Sequence, residues 1–593
     1  MTTQVNIDHI RHSLSHLLAA VVLKKYPGTK LGIGPTIENG FYYDFLLPTP
    51  ISDADLLDLQ KEMRHLVAQK LDFTKEEITA AKAKKLFAGQ NFKLELIEEL
   101  EEAKSLISLY HTLRQAQDNA SDVFTDLCKG PHVKNTSEIN MEGFKLTHIA
   151  GAYWKGSEKN PMLTRIYGLA FANKKELDAH LLMLLEAKKR DHKKLGRELD
   201  LFTFSELVGP GLPLWTPKGT IMRDILDNFI WQLRKKYGYE RVDIPHITKK
   251  ELYEKSGHWQ KFQNELFKII TREGHLYAMK PMNCPHHTQI YARKIWSYRE
   301  LPQRYASTTK CYRDEQSGEL SGLSRVLAIT QDDAHVFCRD SQVKEEILKI
   351  WDIIETFYGA VGFTLTPRLS LHDPAKMEKY LGEEKVWQAA ENSLREILKE
   401  KGLVVNEAIG EAAFYGPKVD FMAKDSLNRE WQVATIQLDM NLPERFDLNC
   451  TNEKGEQEQV VMIHAAIMGS IERYLSILIE HYAGAFPAWL APIQAMILPI
   501  SEKHKKYSDA VLKDLIKQGI RVEIDGSNET LGKRIRGSEM QKIPYILVVG
   551  EQEETNKTVA VRQREKGPTA QAENQGAMTT EAFAEMIKKQ LPY

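Results

Sequence analysis

Cys284, His335 and His464 are the residues of this chain whose types most clearly could do chemistry together. They lie in three distant segments, MNCPHH, TQDDAH and MIHAAIMGSIERY. One sulfur and two nitrogens can hold a zinc ion, one per chain, and leave a fourth tetrahedral position open, as in reactive rather than structural zinc sites. Asp333 and Arg473 lie close to these ligands in sequence, so the combination predicts a zinc that holds a small substrate beside a bound nucleotide. The spacing alone does not establish this, because scattered Cys and His residues are common.

A second group of ligand-type residues lies nearer the N-terminus. His12 and His16 are four residues apart in a predicted helix, so they share one face. Cys128 and His132 are also four apart, across a Gly-Pro turn in DLCKGPHV. These four side chains match a four-ligand zinc set, and two unrelated surface pairs are the simpler alternative.

The composition is that of an ordinary multidomain protein. At 593 residues the chain is too long for one core, so about three to five domains are expected. It is 27% charged and 42% hydrophobic, and no run of about 18 apolar residues predicts a membrane span. A polar N-terminus and five widely spaced cysteines predict a cytoplasmic protein with no membrane contact. With a net charge of −1, any RNA recognition must come from local basic surfaces.

The order of predicted elements indicates an α+β chain of three domains. Residues 1–190 combine an apolar-periodic helix, a Gly/Pro-rich loop and strand, charged helices and short strands flanked by turns, and end in a basic helical connector. Residues 191–490 contain alternating runs, such as RVDIPHI and REWQVATIQLD, that predict a large antiparallel sheet. Residues 491–593 alternate strand and helix, which predicts an α/β domain.

Nine motifs, in order along the chain, resemble those of the threonyl-tRNA synthetases, a family of class II aminoacyl-tRNA synthetases. They are RHSLSH, DLCKGPHV, KPMNCPHH, CYRDEQSG, TQDDAHVFC, AFYGPK, IQLD, MIHAAIMGSIERY and FPAWLAPIQ. The resemblance runs from about His9 to about Lys588. It implies an N-terminal editing domain, a class II catalytic core built on an antiparallel sheet, and a C-terminal α/β anticodon-binding domain.

The resemblance also implies the reaction. Threonine would be activated by ATP, with Mg²⁺, to threonyl-adenylate and then transferred to tRNA(Thr). Two anions must meet, so arginines and magnesium supply most of the stabilisation. Arg313 is expected on the α-phosphate, Arg473 beside the adenine and γ-phosphate, and His258 near the 2′-hydroxyl of the terminal adenosine, where a pKa suited to neutral pH would let it assist proton removal. The remaining expected ATP contacts are Glu315, Arg325, Ile329 and Gln432.

The zinc would explain amino acid choice. Threonine can chelate a metal through its amino group and β-hydroxyl, whereas valine cannot, and a site built for a hydroxyl rejects its absence strongly. By resemblance, the residues that line the threonine pocket are Asp333, Gln331, Tyr415, Lys418 and Gln437. His286 and His287 adjoin Cys284 and are weaker candidates for zinc ligands.

Serine creates the need for a second site. It also chelates zinc and differs by one methyl group, worth about 1–3 kcal/mol, so the resemblance implies hydrolysis of seryl-tRNA in the N-terminal domain. The residues expected in this editing pocket are His12, His16, Asp126, Cys128 and His132. A metal-bound and a metal-free version are both chemically reasonable, and we favour the metal-free version, in which these residues hold the water.

Other features follow from the resemblance. Asn528, Glu553 and Arg562 match anticodon-reading positions, since unpaired bases offer edges for hydrogen bonding. GTIMRDILDNFIWQLRKKYGYERVDIPHI resembles motif 1, a long helix and strand ending near Pro245 that implies a homodimer. Lys533, Arg534 and Arg536 form a basic turn that suits either phosphate binding or a solvated helix face. The small ubiquitin-like domain that commonly opens the family is expected to be absent.

One segment departs from the family. Leu327 replaces an arginine, and Ile329 stands where an aromatic side chain commonly covers the adenine. An aliphatic side chain still covers the base but reduces a ring-stacking contribution of about 1 kcal/mol, so we expect somewhat weaker ATP affinity. Activity is expected to remain.

Three alternatives stay open. The chain could be a free-standing editing hydrolase with a vestigial synthetase body, or a non-catalytic RNA-binding paralogue. Arg313, Arg473 and the three zinc ligands argue against both, because those classes have no need for such charged groups. Among enzymes, a prolyl- or seryl-type synthetase is the second choice.

Overall fold

The computed structural model describes residues 6–114, 121–403, 405–564 and 572–592. The chain forms two compact units, Met1–Leu185 and Glu186–Tyr593. Within the described ranges, no helix is both long and apolar enough to cross a membrane. The predicted division into three domains stays a prediction.

The first unit begins with a well-capped helix. The Asn6 side chain accepts a hydrogen bond from the backbone N–H of Asp8, and Lys24 and Lys25 occupy the last turn, where they favour the negative end of the helix dipole. The elements are α1 (Ile7–Lys25), β1 (Lys30–Leu31), β2 (Thr36–Ile37), β3 (Gly40–Leu46), α2 (Leu56–Ala68), β4 (Asp72–Ile78), α3 (Ala80–Leu86), α4 (Asn91–Glu102), β5 (Ile107–Arg114), β6 (Ser121–Leu127), β7 (Phe144–Tyr153), β8 (Met162–Ala170) and α5 (Lys174–Arg190).

Two antiparallel sheets organise this unit. One has the order β1-β3-β8-β7, with β2 paired to β3, and the other has the order β4-β5-β6. The core holds α1 and α2 against the first sheet, where Leu14, Leu17 and Phe41 are fully buried. THIAGAYWKG lies in the region where the sequence predicts short strands flanked by turns, but most of it belongs to the ten-residue strand β7, because the segment pairs along its length with β8.

The first part of the second unit surrounds the candidate site. Its elements are α6 (His192–Glu198), β9 (Phe202–Thr203), β10 (Leu214–Trp215), α7 (Pro217–Lys236), β11 (Glu240–Arg241), β12 (Ile247–Lys249), α8 (Lys250–Ser256), α9 (His258–Lys261), β13 (Lys268–Ile270), β14 (Leu276–Met279), α10 (Cys284–Tyr291), β15 (Trp296–Ser297), β16 (Gln303–Tyr312), β17 (Ala328–Cys338), α11 (Val343–Val361), β18 (Leu365–Leu371), α12 (Glu384–Glu400), β19 (Asn406–Ile409), β20 (Lys418–Lys424), β21 (Glu430–Asp439), α13 (Asn441–Phe446), β22 (Asn449–Thr451), β23 (Gln457–Gln459), β24 (Val461–Ser470) and α14 (Ile471–His481).

An eight-stranded sheet forms the frame of this part. Its order is β11-β16-β17-β24-β21-β20-β18-β19. The six inner strands are antiparallel, as the sequence predicts, whereas the edge strands β11 and β19 pair in parallel. α7, α11 and α14 contribute to the large hydrophobic core with residues such as Phe229, Phe357 and Leu475. RVDIPHI, expected as one strand, forms only β11 and the start of β12, because Pro245 has no N–H to donate to a ladder.

The last part of the chain is a mixed α/β arrangement. Its elements are β25 (Ala495–Pro499), α15 (Lys505–Lys517), β26 (Val522–Ile524), α16 (Leu531–Met540), β27 (Tyr545–Val549), α17 (Glu551–Asn556), β28 (Val559–Arg564), β29 (Ala572–Met578) and α18 (Thr580–Lys588). β26, β25 and β27 are parallel, and β28 and β29 continue the sheet antiparallel. The alternation of strand and helix predicted from the sequence is therefore confirmed for the parallel half.

Candidate active site

A row of side chains crosses the middle of the large sheet. His335 on β17 lies directly opposite His464 on β24, which lies opposite Gln437 on β21, which lies opposite Lys418 on β20. Directly paired residues share one face of a sheet and have neighbouring side chains. Strand register therefore brings together four residues that the sequence separates by up to 129 positions.

Cys284 joins this row from outside the sheet. It is the first residue of α10 and is fully buried, and Pro285 follows it at a position where the missing N–H costs little. The candidate ligand atoms of Cys284, His335 and His464 all lie within 4.8 Å of one another. His335 Nε2 lies 3.1 Å from His464 Nδ1. The three side chains predicted as zinc ligands thus converge on one point.

Neighbouring groups orient these histidines. Nε2 of His464 donates to Oδ2 of Asp439, 2.9 Å away, which leaves Nδ1 as its free nitrogen. Nδ1 of His335 lies 2.7 Å from Nδ1 of His287, whose Nε2 contacts the hydroxyl of Ser307. His287 therefore contacts a candidate ligand and is not itself in the ligand group. From the sequence it is likewise only a weaker candidate for a zinc ligand.

The electrostatics of the group suit a cation. Burial raises the pKa of the Cys284 thiol well above its ordinary value and lowers the pKa of the His335 imidazole well below its own. Burial likewise raises the pKa of Asp333, whose Oδ2 accepts a hydrogen bond from Asn283 at 3.1 Å. A buried thiol and two buried imidazole nitrogens form a donor set that a divalent metal completes, because the metal supplies the charge that a thiolate needs.

A cleft of roughly 660 Å³ opens beside this group. Ten residues predicted to contact ATP or threonine line it: Arg313, Glu315, Arg325, Ile329, Gln331, Tyr415, Lys418, Gln432, Gln437 and Arg473. Tyr415 connects the cleft to the metal-ligand group, since its ring stacks on His464 at 4.8 Å between centroids and its hydroxyl donates to Gln437 at 2.8 Å. The sheet therefore places the predicted ATP contacts next to the predicted zinc ligands.

Two arginines, Arg313 and Arg473, line the cleft and could bind an anion there. Nε of Arg313 is buried and has no hydrogen-bond partner in the described ranges, and the guanidinium lies over the Phe262 ring at 5.3 Å. Arg473 lies over the Trp431 ring at 5.9 Å, and burial lowers the pKa of its guanidinium. Arg313 is half-buried with an unpaired Nε, and Arg473 is exposed at the cleft, so both guanidinium groups can bind an anion there.

Some predicted contacts are engaged with each other in this structure. Arg325, expected on phosphate, donates to the carboxylate of Glu315, expected at the adenine, at 2.8 Å. Lys418 forms an ion pair with Asp420 at 2.9 Å, and Gln432 donates to the same carboxylate at 2.7 Å. A nucleotide would compete for these bonds.

His258 differs from the expectation. It is fully buried, and its Nε2 lies 3.5 Å from Cys284 Sγ while Nδ1 lies 2.9 Å from the Ser256 hydroxyl. Burial lowers its pKa to about 3, so the expected value near neutrality is not found. Phe262, Phe414 and Tyr415 surround the ring. The apolar neighbours explain the shift, because they disfavour the imidazolium.

The N-terminal group also converges. Nε2 of His12 and Nε2 of His132 each lie 3.3 Å from Cys128 Sγ, and the candidate ligand atoms of these three residues and His16 lie within 4.8 Å of one another. His12, His16 and Cys128 border a cleft of roughly 480 Å³ in the first unit, which Asp126 also lines, and His132 is buried beside them. The helix spacing and the turn predicted from the sequence thus bring the five residues of the expected editing pocket to one place.

Charge around this group centres on Asp126. Its Oδ1 lies 2.6 Å from Lys93 Nζ, and its Oδ2 accepts from the Tyr43 hydroxyl at 2.5 Å. Burial raises the pKa of the Cys128 thiol to about 12 and lowers the pKa values of His12 and of the other two histidines. At neutral pH the group without metal holds a protonated thiol and neutral imidazoles, which can accept protons from water.

The residues predicted to read the anticodon lie on separate elements of the last α/β part. Asn528 is exposed just before α16, Glu553 lies in α17 and Arg562 lies on β28. Arg534, grouped by the sequence with a basic turn, is buried instead and donates to the backbone carbonyls of Asp525 and Pro499. It holds a loop, so for Arg534 neither of the two alternatives, phosphate contact or a solvated helix face, agrees with its burial.

Sequence reasoning missed several residues that the structure places at these sites. They are Asn283, Asp439 and Trp431 at the large sheet, and Tyr43 and Lys93 at the N-terminal group. Asp439 and Asn283 lie inside the motifs IQLD and MNCPHH, so position within a motif was an available signal. Lys93 lies in a charged helix with no such signal, because only the fold turns it toward Asp126.

Three segments of the chain match protein families found in aminoacyl-tRNA synthetases. Residues 267–482 match the tRNA synthetase class II core domain (G, H, P, S and T), residues 494–590 match the anticodon binding domain, and residues 112–167 match the threonyl and alanyl tRNA synthetase second additional domain. Together with the antiparallel sheet and its cleft, these matches define a class II aminoacyl-tRNA synthetase.

Similar proteins narrow the class. Threonine–tRNA ligase of Porphyromonas gingivalis is 48% identical over 98% of this chain and 87% of its own length. That of Deinococcus radiodurans is 45% identical over 98% and 88%. A structure described as the RNA binding domain of threonyl-tRNA synthetase from Cryptosporidium parvum Iowa II is 37% identical, with a TM-score of 0.64, and covers 68% of this chain and 98% of its own. The chain belongs to the threonine–tRNA ligase family.

Proposed function

We propose that this enzyme activates threonine with ATP to threonyl-adenylate in the cleft of the large sheet and transfers threonine to tRNA(Thr). The observation that carries the proposal is the meeting of two sites at one row of the sheet. A metal-ligand group at His335 and His464 adjoins, through Tyr415, a cleft lined by Arg313 and Arg473. An amino acid held at the first site and a nucleotide held in the second would have their reacting groups close together.

Zinc fits the donor set of Cys284, His335 and His464, which is one sulfur and two nitrogens, with no fourth ligand in the group among the residues that the structure describes. When bound, zinc would offer its open position to the amino group and β-hydroxyl of threonine, which valine cannot match. Asp333 is buried beside His335 and held by Asn283, so its carboxylate is oriented to accept from the ammonium or hydroxyl of the substrate.

The two arginines would hold ATP, which brings Mg²⁺ with it. The unpaired Nε of Arg313 suits the α-phosphate, where negative charge develops in the transition state. Arg473 and Trp431 offer a planar cation and an aromatic ring at one wall of the cleft, which suits the adenine. Glu315 and Arg325 would exchange their mutual ion pair for contacts with the nucleotide.

His258 would act in the transfer step as a neutral base. Its depressed pKa keeps the imidazole unprotonated at neutral pH, so it can accept a proton but releases it readily. Because the side chain is fully buried, we propose that the terminal adenosine of tRNA(Thr) reaches it only after a local opening of the surrounding aromatic residues.

The first unit would hydrolyse seryl-tRNA(Thr) without metal. Neutral His12 and His16 suit the positioning of a water molecule, and Lys93 and Tyr43 fix the carboxylate of Asp126 beside them. Cys128 lines the same pocket, and buried His132 contacts its sulfur at 3.3 Å. A separate hydrolytic site is needed because the threonine site accepts serine too easily.

Further parts of the proposal concern assembly. The motif 1 resemblance of α7 supports a homodimer, and Asn528, Glu553 and Arg562 are proposed to read the anticodon. The three proposed domains are residues 1–190, 191–490 and 491–593. A cytoplasmic location is proposed from the reducing chemistry that five free cysteines require.

The test is amino acid-dependent ATP–pyrophosphate exchange with threonine, serine, valine and proline side by side. We expect threonine to exceed serine, and valine and proline to give almost none. Cys284→Ser should lose zinc and threonine-dependent exchange together, whereas Cys450→Ser, a matched change at another fully buried thiol of the same unit, should retain both. Full zinc and full exchange in Cys284→Ser would overturn the metal assignment, and equal exchange with proline would overturn the substrate.

A further inference from the structure

His192 is a buried histidine with two partners that belong to different elements. It is the first residue of α6. Its Nδ1 lies 2.7 Å from Oε1 of Glu480, and its Nε2 lies 3.0 Å from the backbone nitrogen of Leu323. A backbone amide can only donate, so Nε2 is the acceptor and Nδ1 carries the hydrogen that is donated to Glu480. The imidazole therefore joins Leu323 to Glu480.

Both partners belong to elements that wall the cleft. Leu323 is fully buried in the connection between β16 and β17, which also carries Glu315 and Arg325 at the cleft. Glu480 is near the end of α14, the helix that carries Arg473 near its start. Through these two hydrogen bonds, His192 joins the β16–β17 connection to α14.

The backbone is shaped for this contact. Gly322, beside Leu323, has a φ of +52°, which favours glycine, and a Cβ at this position would lie 2.3 Å from His192 Nε2. Both the conformation and the close approach therefore require glycine here. The close approach of the loop to His192 therefore depends on the glycine at position 322.

A chain of ionic hydrogen bonds continues from His192 toward the cleft wall. Oε2 of Glu480 lies 2.6 Å from Arg429, which also pairs with the carboxylate of Asp425 at 2.6 Å. The same carboxylate accepts from the indole N–H of Trp431 at 2.9 Å. Trp431 lines the cleft next to Arg473, so the network begun at His192 ends on a ring of the cleft wall.

We propose that His192 is a positioning residue for ATP: it holds the β16–β17 connection, with Glu315 and Arg325, in the arrangement that the nucleotide requires. This inference rests on the proposed ATP site. Without an acceptor at Nε2, the N–H of Leu323 is left buried and unpaired, and the loop gains by moving toward water. Most residues of the proposed threonine pocket lie on the paired strands of the sheet, so the pocket should keep its shape when the loop moves.

Two variants separate the partners of the ring. His192→Asn places an amide where Nδ1 was, so it can still donate to Glu480 but does not reach Leu323. His192→Gln carries its amide one bond further and can accept from Leu323. In threonine-dependent pyrophosphate exchange, we expect His192→Asn to raise the KM for ATP about tenfold, the factor expected when one buried N–H loses its acceptor, with the KM for threonine within twofold of the parent. His192→Gln should recover most of the ATP affinity.

His372→Asn is the matched control. His372 is buried like His192, and its backbone nitrogen and Nδ1 both contact Oε1 of buried Glu391, at 3.0 and 2.7 Å. Its Nε2, however, has no hydrogen-bond partner among the residues that the structure describes. We expect His372→Asn to lower the melting temperature as His192→Asn does and to leave the KM for ATP unchanged. That result would separate a loss of stability from a loss of ATP positioning.

The outcomes are distinct. If His192→Asn leaves the KM for ATP within twofold of the parent, or raises the KM for threonine as much as that for ATP, the positioning role of His192 is refuted. Arg473→Gln, measured alongside, tests the ATP site itself. If Arg473→Gln also leaves the KM for ATP unchanged, the proposed ATP site and the inference fall together. If Arg473→Gln weakens ATP and His192→Asn does not, only the inference falls.

Discussion

Asp439 gives the sharpest test of the proposed zinc site, because it controls which nitrogen of His464 is free. Asp439 is fully buried, and its Oδ1 accepts from the backbone nitrogens of Asn441 and Leu442 at 2.8 and 2.9 Å. These two donors hold the carboxylate so that Oδ2 faces His464 Nε2 at 2.9 Å. His464 must therefore carry its hydrogen on Nε2, and the lone pair of Nδ1 faces His335.

Asp439→Asn should reverse that arrangement with little change in volume. The amide oxygen would stay with the two backbone donors, so the NH₂ group would face Nε2 of His464. Two donors cannot share that contact, and the ring can accept from the amide only if its hydrogen moves to Nδ1. A protonated Nδ1 cannot bind metal. Loss of such an orienting partner typically costs 10- to 100-fold in metal affinity, and we expect about 100-fold because the tautomer itself changes.

The measurement is zinc affinity by competition with a chromogenic chelator. Asp332→Asn is the control, because Asp332 is also fully buried and also accepts from two backbone nitrogens, those of Ile467 and Met468, at 3.0 and 3.0 Å. Its remaining partner is Arg234 rather than a candidate ligand. We expect Asp332→Asn to lower stability and keep zinc affinity. Parent-like zinc affinity in Asp439→Asn would refute the tautomer argument, and an equal loss in both variants would mean that general destabilisation is the cause.

Three further predictions concern editing, the pH dependence of stability, and assembly. Replacing His12 and His16 together by alanine should leave threonine-dependent pyrophosphate exchange unchanged and cause seryl-tRNA to accumulate; clearance of preformed seryl-tRNA at the parent rate would contradict the editing proposal. For chelator-treated protein, the free energy of unfolding in urea should fall as pH drops from about 6.5 toward 4, because His258, His286 and His287 have pKa values lowered to about 3, 4 and 3 by burial, so the unfolded chain binds protons that the native chain does not. A flat profile would refute that assignment. Light scattering at micromolar concentration should give the mass of a dimer, and a monomer mass would count against the motif 1 inference.

The types of the ligands could be predicted from the sequence, but their geometry could not. Cys284, His335 and His464 have the right donor atoms, and the motifs that contain them indicate one site. Their convergence depends on strand register, since a shift of one residue in β17 would turn His335 to the opposite face. Register is set by pairing across the whole sheet and is not encoded in any one motif.

The burial of individual side chains was also not predictable from the sequence. His258 has the pKa of a neutral-pH base only if water reaches it, and two of the three aromatic residues around it, Phe414 and Tyr415, lie 156 and 157 positions further along the chain. Arg534 was grouped with its basic neighbours because charge is visible in a sequence, whereas the carbonyls of Asp525 and Pro499 that hold it are not. The errors at His258 and Arg534 have one cause. The sequence shows which side chains can carry charge, whereas only the fold determines whether water reaches them.

The departure at Leu327 and Ile329 shows how far local sequence can be judged alone. The backbone of Leu327 receives a hydrogen bond from Arg313 and donates one to Gly211, both at 3.0 Å or less, and neither bond depends on its side chain. Ile329 lines the cleft as an aliphatic surface. Trp431, fixed by Asp425, supplies an aromatic ring to the same cleft from a different strand. The loss of one ring at position 329 therefore leaves the cleft with an aromatic wall, which is a reason to expect weaker ATP binding rather than none.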